Sequence, residues 1–214
     1  MDWTVLRENA GLLAQGLLVT LEVSALALVL ALALGVIVAT LRVSPSAALR
    51  RIGTAYVEFL RNIPLLVQLF FLFFALPSIG IRLPAFVCGV LALGVYTSAF
   101  VAEAIRSGIA AVPKGQLEAG LSSGMAYATA MRMIVLPQAI AKTIPPLGNT
   151  TINLIKNSSL VSTIAVMDVL GTAKFIGARS FEYVPMLVGA AICYLILTLP
   201  AAAAVNALEK RYGR

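Results

Sequence analysis

Long uncharged apolar runs alternate with short polar segments along this chain. Residues 23–41, 62–81, 83–102 and 183–208 carry no charged side chain. Each is close to or above the roughly 20 residues that a helix needs to cross a hydrocarbon core of about 30 Å. A fifth run, 143–167, holds one charge, Lys156, among many hydroxyl and amide side chains. It is read as a span because neighbouring helices or a wet cavity can satisfy such groups at membrane depth. The pattern predicts an all-α membrane protein of five transmembrane helices, forming one domain over residues 1–214.

The polar segments between the runs are short. Ser44-Pro45-Ser46 and Arg50-Arg51 read as a connection into the second span, which continues LLVQLFFLFFALP with Gln68 as its one polar residue and four Phe around the axis. Residues 77–84, with Gly80 and Arg82, read as a tight turn. At the end of the third span Glu103 and Arg106 stand three apart, a spacing that lets them pair on one helix face. A longer polar segment follows, about residues 110–137, reading EAGLSSGMAYATAMRMIVLP from Glu118. Gly124 is expected to divide it into two short helices, since Gly weakens a helix interior by about 1 kcal/mol relative to Ala. Pro137 and Pro145-Pro146 are expected to break the path before the fourth span. Residues 168–182 read as an outer connecting segment.

Five spans place the termini on opposite faces, and the basic residues decide which is which. With the N-terminus outside and the C-terminus cytoplasmic, eleven Lys and Arg fall on the cytoplasmic side and four (Arg7, Arg82, Lys174, Arg179) on the outer side. The 214 residues are 60% hydrophobic and 12% charged, against about 25% charged in soluble domains, and the net charge of +7 therefore reflects membrane orientation. No nucleic-acid partner is needed to explain it. The first run exceeds a signal peptide's apolar core and has no small-residue cleavage site after it, so it is expected to be retained. Glu22 is placed at the outer interface rather than in a proton relay.

The residue types exclude several chemistries. The chain has no His, and its two cysteines, Cys88 and Cys193, fall inside spans as small core side chains. No Gly-rich phosphate loop of the form Gly, four residues, Gly-Lys-Ser/Thr is present. If nucleotide energises this protein, another chain binds it. Asn149, Asn153, Lys156 and Asn157 share one helical face in the fourth span, and Ser158 and Ser159 extend it. Such a stripe either lines a pathway for a small polar solute or holds helices together. Tyr96, Thr97 and Ser98 of the third span are assigned to the same pathway.

The segment Glu118-Ala119-Gly120, three residues, Gly124, nine residues, Ile134, Val135, Leu136, Pro137 resembles the coupling loop of the membrane permease subunits of ATP-binding-cassette importers. Only Gly120 departs from it, where the family motif has a second Ala. RNIPLLVQLFF from Arg61, YTSAFVAEAIRSGI from Tyr96, and PQAI with NLIKNSSLVS between Pro137 and Ser162 are similar to the polar amino-acid uptake branch in particular. The resemblance implies two permease subunits, the same or related, and a cytoplasmic ATPase dimer carrying ATP and Mg. It also implies an extracytoplasmic solute-binding protein. The permease itself would bind no cofactor and would not be an enzyme. Glu118, Ala119, Gly120, Leu121, Gly124, Met125 and Pro137 would couple it to the ATPase, Gly120 and Gly124 by allowing close backbone approach. The family often has Asp at the position of Asn157, so the substrate expectation leans to neutral or acidic amino acids. An ion-gradient carrier working without an ATPase is the alternative.

Overall fold

The structure, a computed structural model, describes residues 2–212, and every regular element among them is helical. Ten α-helices follow in order: α1 Thr4–Glu8, α2 Ala10–Val43, α3 Ala47–Asn62, α4 Leu65–Phe70, α5 Ala85–Ala110, α6 Lys114–Ser122, α7 Tyr127–Ala130, α8 Leu136–Asn157, α9 Val169–Ser180 and α10 Tyr183–Tyr212. A π-turn and a 3₁₀ turn continue α4 to Ile79. Another π-turn joins α7 to α8, and a 3₁₀ segment, Ser158–Ile164, follows α8. Helices α2, α5 and α10 are each long and apolar enough to cross a membrane alone. Two bent pairs raise the number to five if each counts as one span: α3 with Leu65–Ile79, bent by 96°, and Tyr127–Ile164 with α9, bent by 45°.

Helix α2 shows how the packing works. Leu13, Gly16, Thr20, Val23, Ser24, Ala27, Ala31, Gly35, Val38 and Ala39 form its buried stripe at helical spacing, and all but Leu13 and the two valines are small. Leu18, Leu21, Leu26, Val29, Val36 and Ile37 point outward. Small side chains therefore face protein and large apolar ones face lipid, because lipid offers no hydrophobic drive for burial and close backbone approach supplies the attraction instead. The main core joins Val23 and Ala27 of α2, Leu65 and Leu69 of α4, Cys88, Ala92 and Leu93 of α5, Leu154 of α8, and Val161 and Ile164 of the 3₁₀ segment after it.

Several expectations change. Helix α2 begins at Ala10, well before residue 23, since Glu22 is exposed and one outward charge does not end a helix. The presumed connection after Ser46 is helix α3. It buries Gly53, Val57 and Leu60 at spacings of four and three and exposes Arg50, Arg51, Glu58 and Arg61, an amphipathic pattern. Pro137, Pro145 and Pro146 do not break the path. Pro137 sits in the first turn of α8, where its missing N–H is not required, and the preceding π-turn Met131–Val135 relieves the ladder. Pro145 and Pro146 stay inside α8, because leaving a helix at membrane depth would strand more backbone groups than two prolines do.

Residues 168–182 are not a bare connection either. Asp168 is fully buried and caps α9, accepting the Gly171 N–H at 2.8 Å and the Tyr194 hydroxyl of α10 at 3.0 Å. Thr20 of α2 accepts the Val169 N–H at 3.1 Å, so three helices meet around this cap.

The 96° elbow between α3 and α4 is pinned by one side chain. Gln68 Nε2 donates to the carbonyls of Leu60 at 2.9 Å and Ile63 at 3.1 Å, satisfying acceptors that the bend frees. Gln68→Leu leaves both without that partner, at a cost of about 1–3 kcal/mol. The expected result is a lower Tm for the detergent-purified protein, read by thermal unfolding. An unchanged Tm would show that the elbow holds without Gln68.

Candidate polar chamber and exposed loop

Helices α5 and α8 cross so closely that a Cβ added at Gly108 would lie 2.0 Å from Thr143 Oγ1 and 3.0 Å from the Ala139 carbonyl oxygen. Toward the other end of the pair they separate around a cavity of about 150 Å³. Tyr96, Thr97 and Phe100 line it from α5, and Thr150, Asn153, Leu154 and Asn157 from α8. Four of the sequence-assigned pathway residues, Tyr96, Thr97, Asn153 and Asn157, are thus brought together. Asn149 and Lys156 are exposed on α8 but do not line the cavity.

Three serines are turned elsewhere. Ser98 is buried, donates to the Val95 carbonyl at 2.6 Å and shares a 2.8 Å hydrogen bond with the Tyr56 hydroxyl of α3. Ser158 and Ser159 donate to the carbonyls of Ile155 and Lys156 at 2.7 and 2.8 Å. Their hydroxyl protons are used within their own helices. Phe100 and Thr150 were missed from sequence, although each stands three or four residues from an assigned neighbour on the same face.

Beyond Phe100 lies a second cavity of about 380 Å³, lined by Arg42, Val57, Glu58, Arg61, Asn62 and Glu103. The expected Glu103–Arg106 pair is present, with Arg106 Nη2 2.5 Å from Oε1, and Arg42 of α2 joins the same carboxylate. Arg61 covers the Phe100 ring, its guanidinium carbon 5.1 Å from the centroid.

The loop after α5 contains the two short helices that Gly124 was expected to separate, α6 and α7. Gly124 lies at φ +83°, the left-handed region that a side chain resists. Its N–H donates to the Leu121 carbonyl at 3.0 Å, and the Met125 N–H donates to the Gly120 carbonyl at 3.1 Å. These are the two bonds of a Schellman cap, so Gly124 closes α6 rather than merely weakening a longer helix. Glu118, Ala119, Leu121, Gly124 and Pro137 are exposed and Met125 is half-buried. Gly120 is buried inside the loop, where an added Cβ would meet Ile134 Cδ1 at 2.8 Å and Ala130 Cβ at 3.1 Å. The close approach expected of Gly120 is therefore to its own chain.

Among the described residues no group of His, Cys, Asp and Glu could hold a metal ion. Residues 31–214 match the family described as "Binding-protein-dependent transport system inner membrane component". The chain is 46% identical over 211 residues to the "Probable glutamine ABC transporter permease protein GlnM" of Bacillus subtilis, covering 99% of this chain and 98% of that one. It is 36% identical to the L-cystine transport system permease protein TcyB of the same organism, over 100% of this chain and 92% of that one. Among solved structures, an amino acid ABC transporter crystallised with histidines superimposes at a TM-score of 0.94, with 36% identity and 99% of each chain covered. An inward-facing MetNI methionine ABC transporter shares the fold at a TM-score of 0.79, with 20% identity and all of each chain covered.

Proposed function

Since this chain belongs to the family of binding-protein-dependent inner-membrane transport components, and is the translocating subunit of an ATP-driven importer rather than its ATPase, we propose that it carries a polar amino acid through the chamber between α5 and α8. The observation that carries this reading is the convergence of Tyr96, Thr97, Asn153 and Asn157 on one cavity. Hydroxyl and amide groups offer both donors and acceptors to an ammonium and a carboxylate. The names of the relatives, which specify glutamine, cystine and amino acids, support the substrate class. With Asn157 in the chamber, the substrate is neutral or acidic rather than cationic.

A cavity of about 150 Å³ is smaller than the roughly 300–1,000 Å³ of small-molecule sites. A second permease subunit, the same or related, completes it, and the exposed Asn149 and Lys156 face that subunit. The chain crosses the bilayer five times as one domain over residues 1–214, with each bent pair one span, the N-terminus outside and the C-terminus cytoplasmic. The loop of about residues 110–137 then lies in the cytoplasm. Glu118, Ala119, Leu121, Gly124, Met125 and Pro137 meet an ATPase dimer that binds ATP and Mg, with Gly120 packing the loop behind them. An extracytoplasmic binding protein delivers the solute.

The test replaces Asn149, Asn153 and Asn157 with Leu in the complete importer in liposomes. The loss of two or three hydrogen bonds, at about 1 kcal/mol each, predicts uptake lowered about tenfold or more with the complex still assembled. Normal uptake would mean that these side chains only hold helices together.

A further inference from the structure

Tyr96, Phe100 and Glu103 follow one another along α5 toward the coupling loop. The rings of Tyr96 and Phe100 both line the chamber, with centroids 5.0 Å apart. Phe100 is covered by Arg61, which belongs to the second cavity. The ring and the guanidinium therefore stand between the two cavities. Arg61 is placed on the last turn of α3, just before the elbow that Gln68 pins to the Leu60 and Ile63 carbonyls, so its backbone is fixed. Its head is not. Glu103, the carboxylate of that cavity nearest in sequence to Phe100, is held by Arg42 and Arg106. Among the described residues Arg61 makes no hydrogen bond or ion pair, and its guanidinium rests on the Phe100 ring.

We propose that Arg61 is a positioning residue for the exit step: resting on Phe100 it closes the floor of the chamber, and lifting off the ring it takes the α-carboxylate of the departing amino acid. This rests on the amino-acid chamber proposed above. A cation–π contact at an exposed site is weaker than a bidentate, charge-assisted pair, so a carboxylate arriving beside the ring displaces the guanidinium from it. Arg61 is exposed to solvent, and water weakens the new pair enough for release. Arg42 and Arg106 are the poorer candidates, because both guanidinium groups are already paired with Glu103, although Arg42 keeps a buried Nε without a partner. A Lys at position 61 would keep the charge but lose the planar fork.

The complete importer, with its ATPase and binding protein, is tested in liposomes with a mixture of radiolabelled L-amino acids as probe. Arg61→Gln is expected to lower the maximal uptake rate roughly tenfold, with KM within about twofold and ATPase stimulation by the loaded binding protein retained. Arg61→Lys should fall between it and the wild type. Phe100→Leu, which removes the ring and leaves the cation, should raise ATP-independent efflux from preloaded vesicles several-fold. An unchanged maximal rate in Arg61→Gln, loss of uptake and ATPase stimulation together, or Lys behaving as Gln overturns the inference. If Arg61→Gln does not assemble, tight Phe100→Leu vesicles overturn it instead. The triple Asn variant separates the two readings. Loss of uptake there with a normal Arg61→Gln sinks this inference alone, and normal uptake there with loss in Arg61→Gln sinks the chamber while keeping an exit cation.

Discussion

Gly124→Val is expected to cut ATP-dependent uptake about tenfold or more while the membrane helices remain folded. The left-handed backbone of Gly124 costs an L-residue roughly 1–2 kcal/mol, and a β-branched side chain more, and about 1.4 kcal/mol is a factor of ten. Space is not the obstacle, since nothing lies within 4 Å of a Cβ added there. The strain falls on the Schellman cap, and relieving it rotates α6, which carries the exposed Glu118, Ala119 and Leu121, against the start of α7. Asn tolerates the left-handed region better than Ala, so uptake should rank Gly, Asn, Ala, Val. Vesicle uptake by the four proteins, with the complex checked for assembly, reads that order directly. A Val variant transporting like the wild type would show that uptake does not depend on a fixed cap at Gly124, against the coupling role proposed for the loop.

Gly108→Leu is expected to lose most of the folded protein. Here the obstacle is space. The Thr143 hydroxyl could rotate away, but the Ala139 carbonyl is backbone and cannot. Overpacking costs about 1–3 kcal/mol and more where backbone is the neighbour. Gly108→Ala should be milder, with a lowered Tm, and adding Thr143→Ala should restore part of it by removing the nearest atom. The measurements are monodisperse yield and Tm in detergent. Normal yield of Gly108→Leu would mean that α5 and α8 do not touch at this level. Because the same two helices form the chamber, the Ala variant should also transport more slowly.

The apolar runs were readable because bilayer thickness imposes a length, and the break at Gly124 because Gly weakens a helix interior, although its role as the cap of α6 shows only in its left-handed backbone. What escaped the reading has physical causes. Helix α3 reads as a connection because Ser-Pro-Ser precedes it and two arginines follow, yet Gly53, Val57 and Leu60 lie on one face. The prolines of α8 mark helix ends in water, where freed backbone finds solvent, and not at membrane depth. Asp168 falls in the segment read as an outer connection, although an Asp just before Val-Leu-Gly is an N-cap pattern. Chamber membership was half legible. The face carrying Asn153 and Asn157 follows from helical spacing, whereas Ser98, Ser158 and Ser159 spend their hydroxyls on nearby carbonyls, which residue type alone does not show.

The elbow at Ile63-Pro64 has a mechanical consequence for the surrounding lipid. Beyond it, Leu65–Ile79 reaches only about 23 Å at helical rise, whereas α2, which shares a core with α4, runs about 51 Å. One is shorter and the other longer than a hydrocarbon core of about 30 Å, a mismatch that favours tilting of α2 and local thinning of the bilayer around α4. Acyl-chain length is then expected to load the bend, and uptake by the complete importer in vesicles of increasing acyl-chain length reads that load.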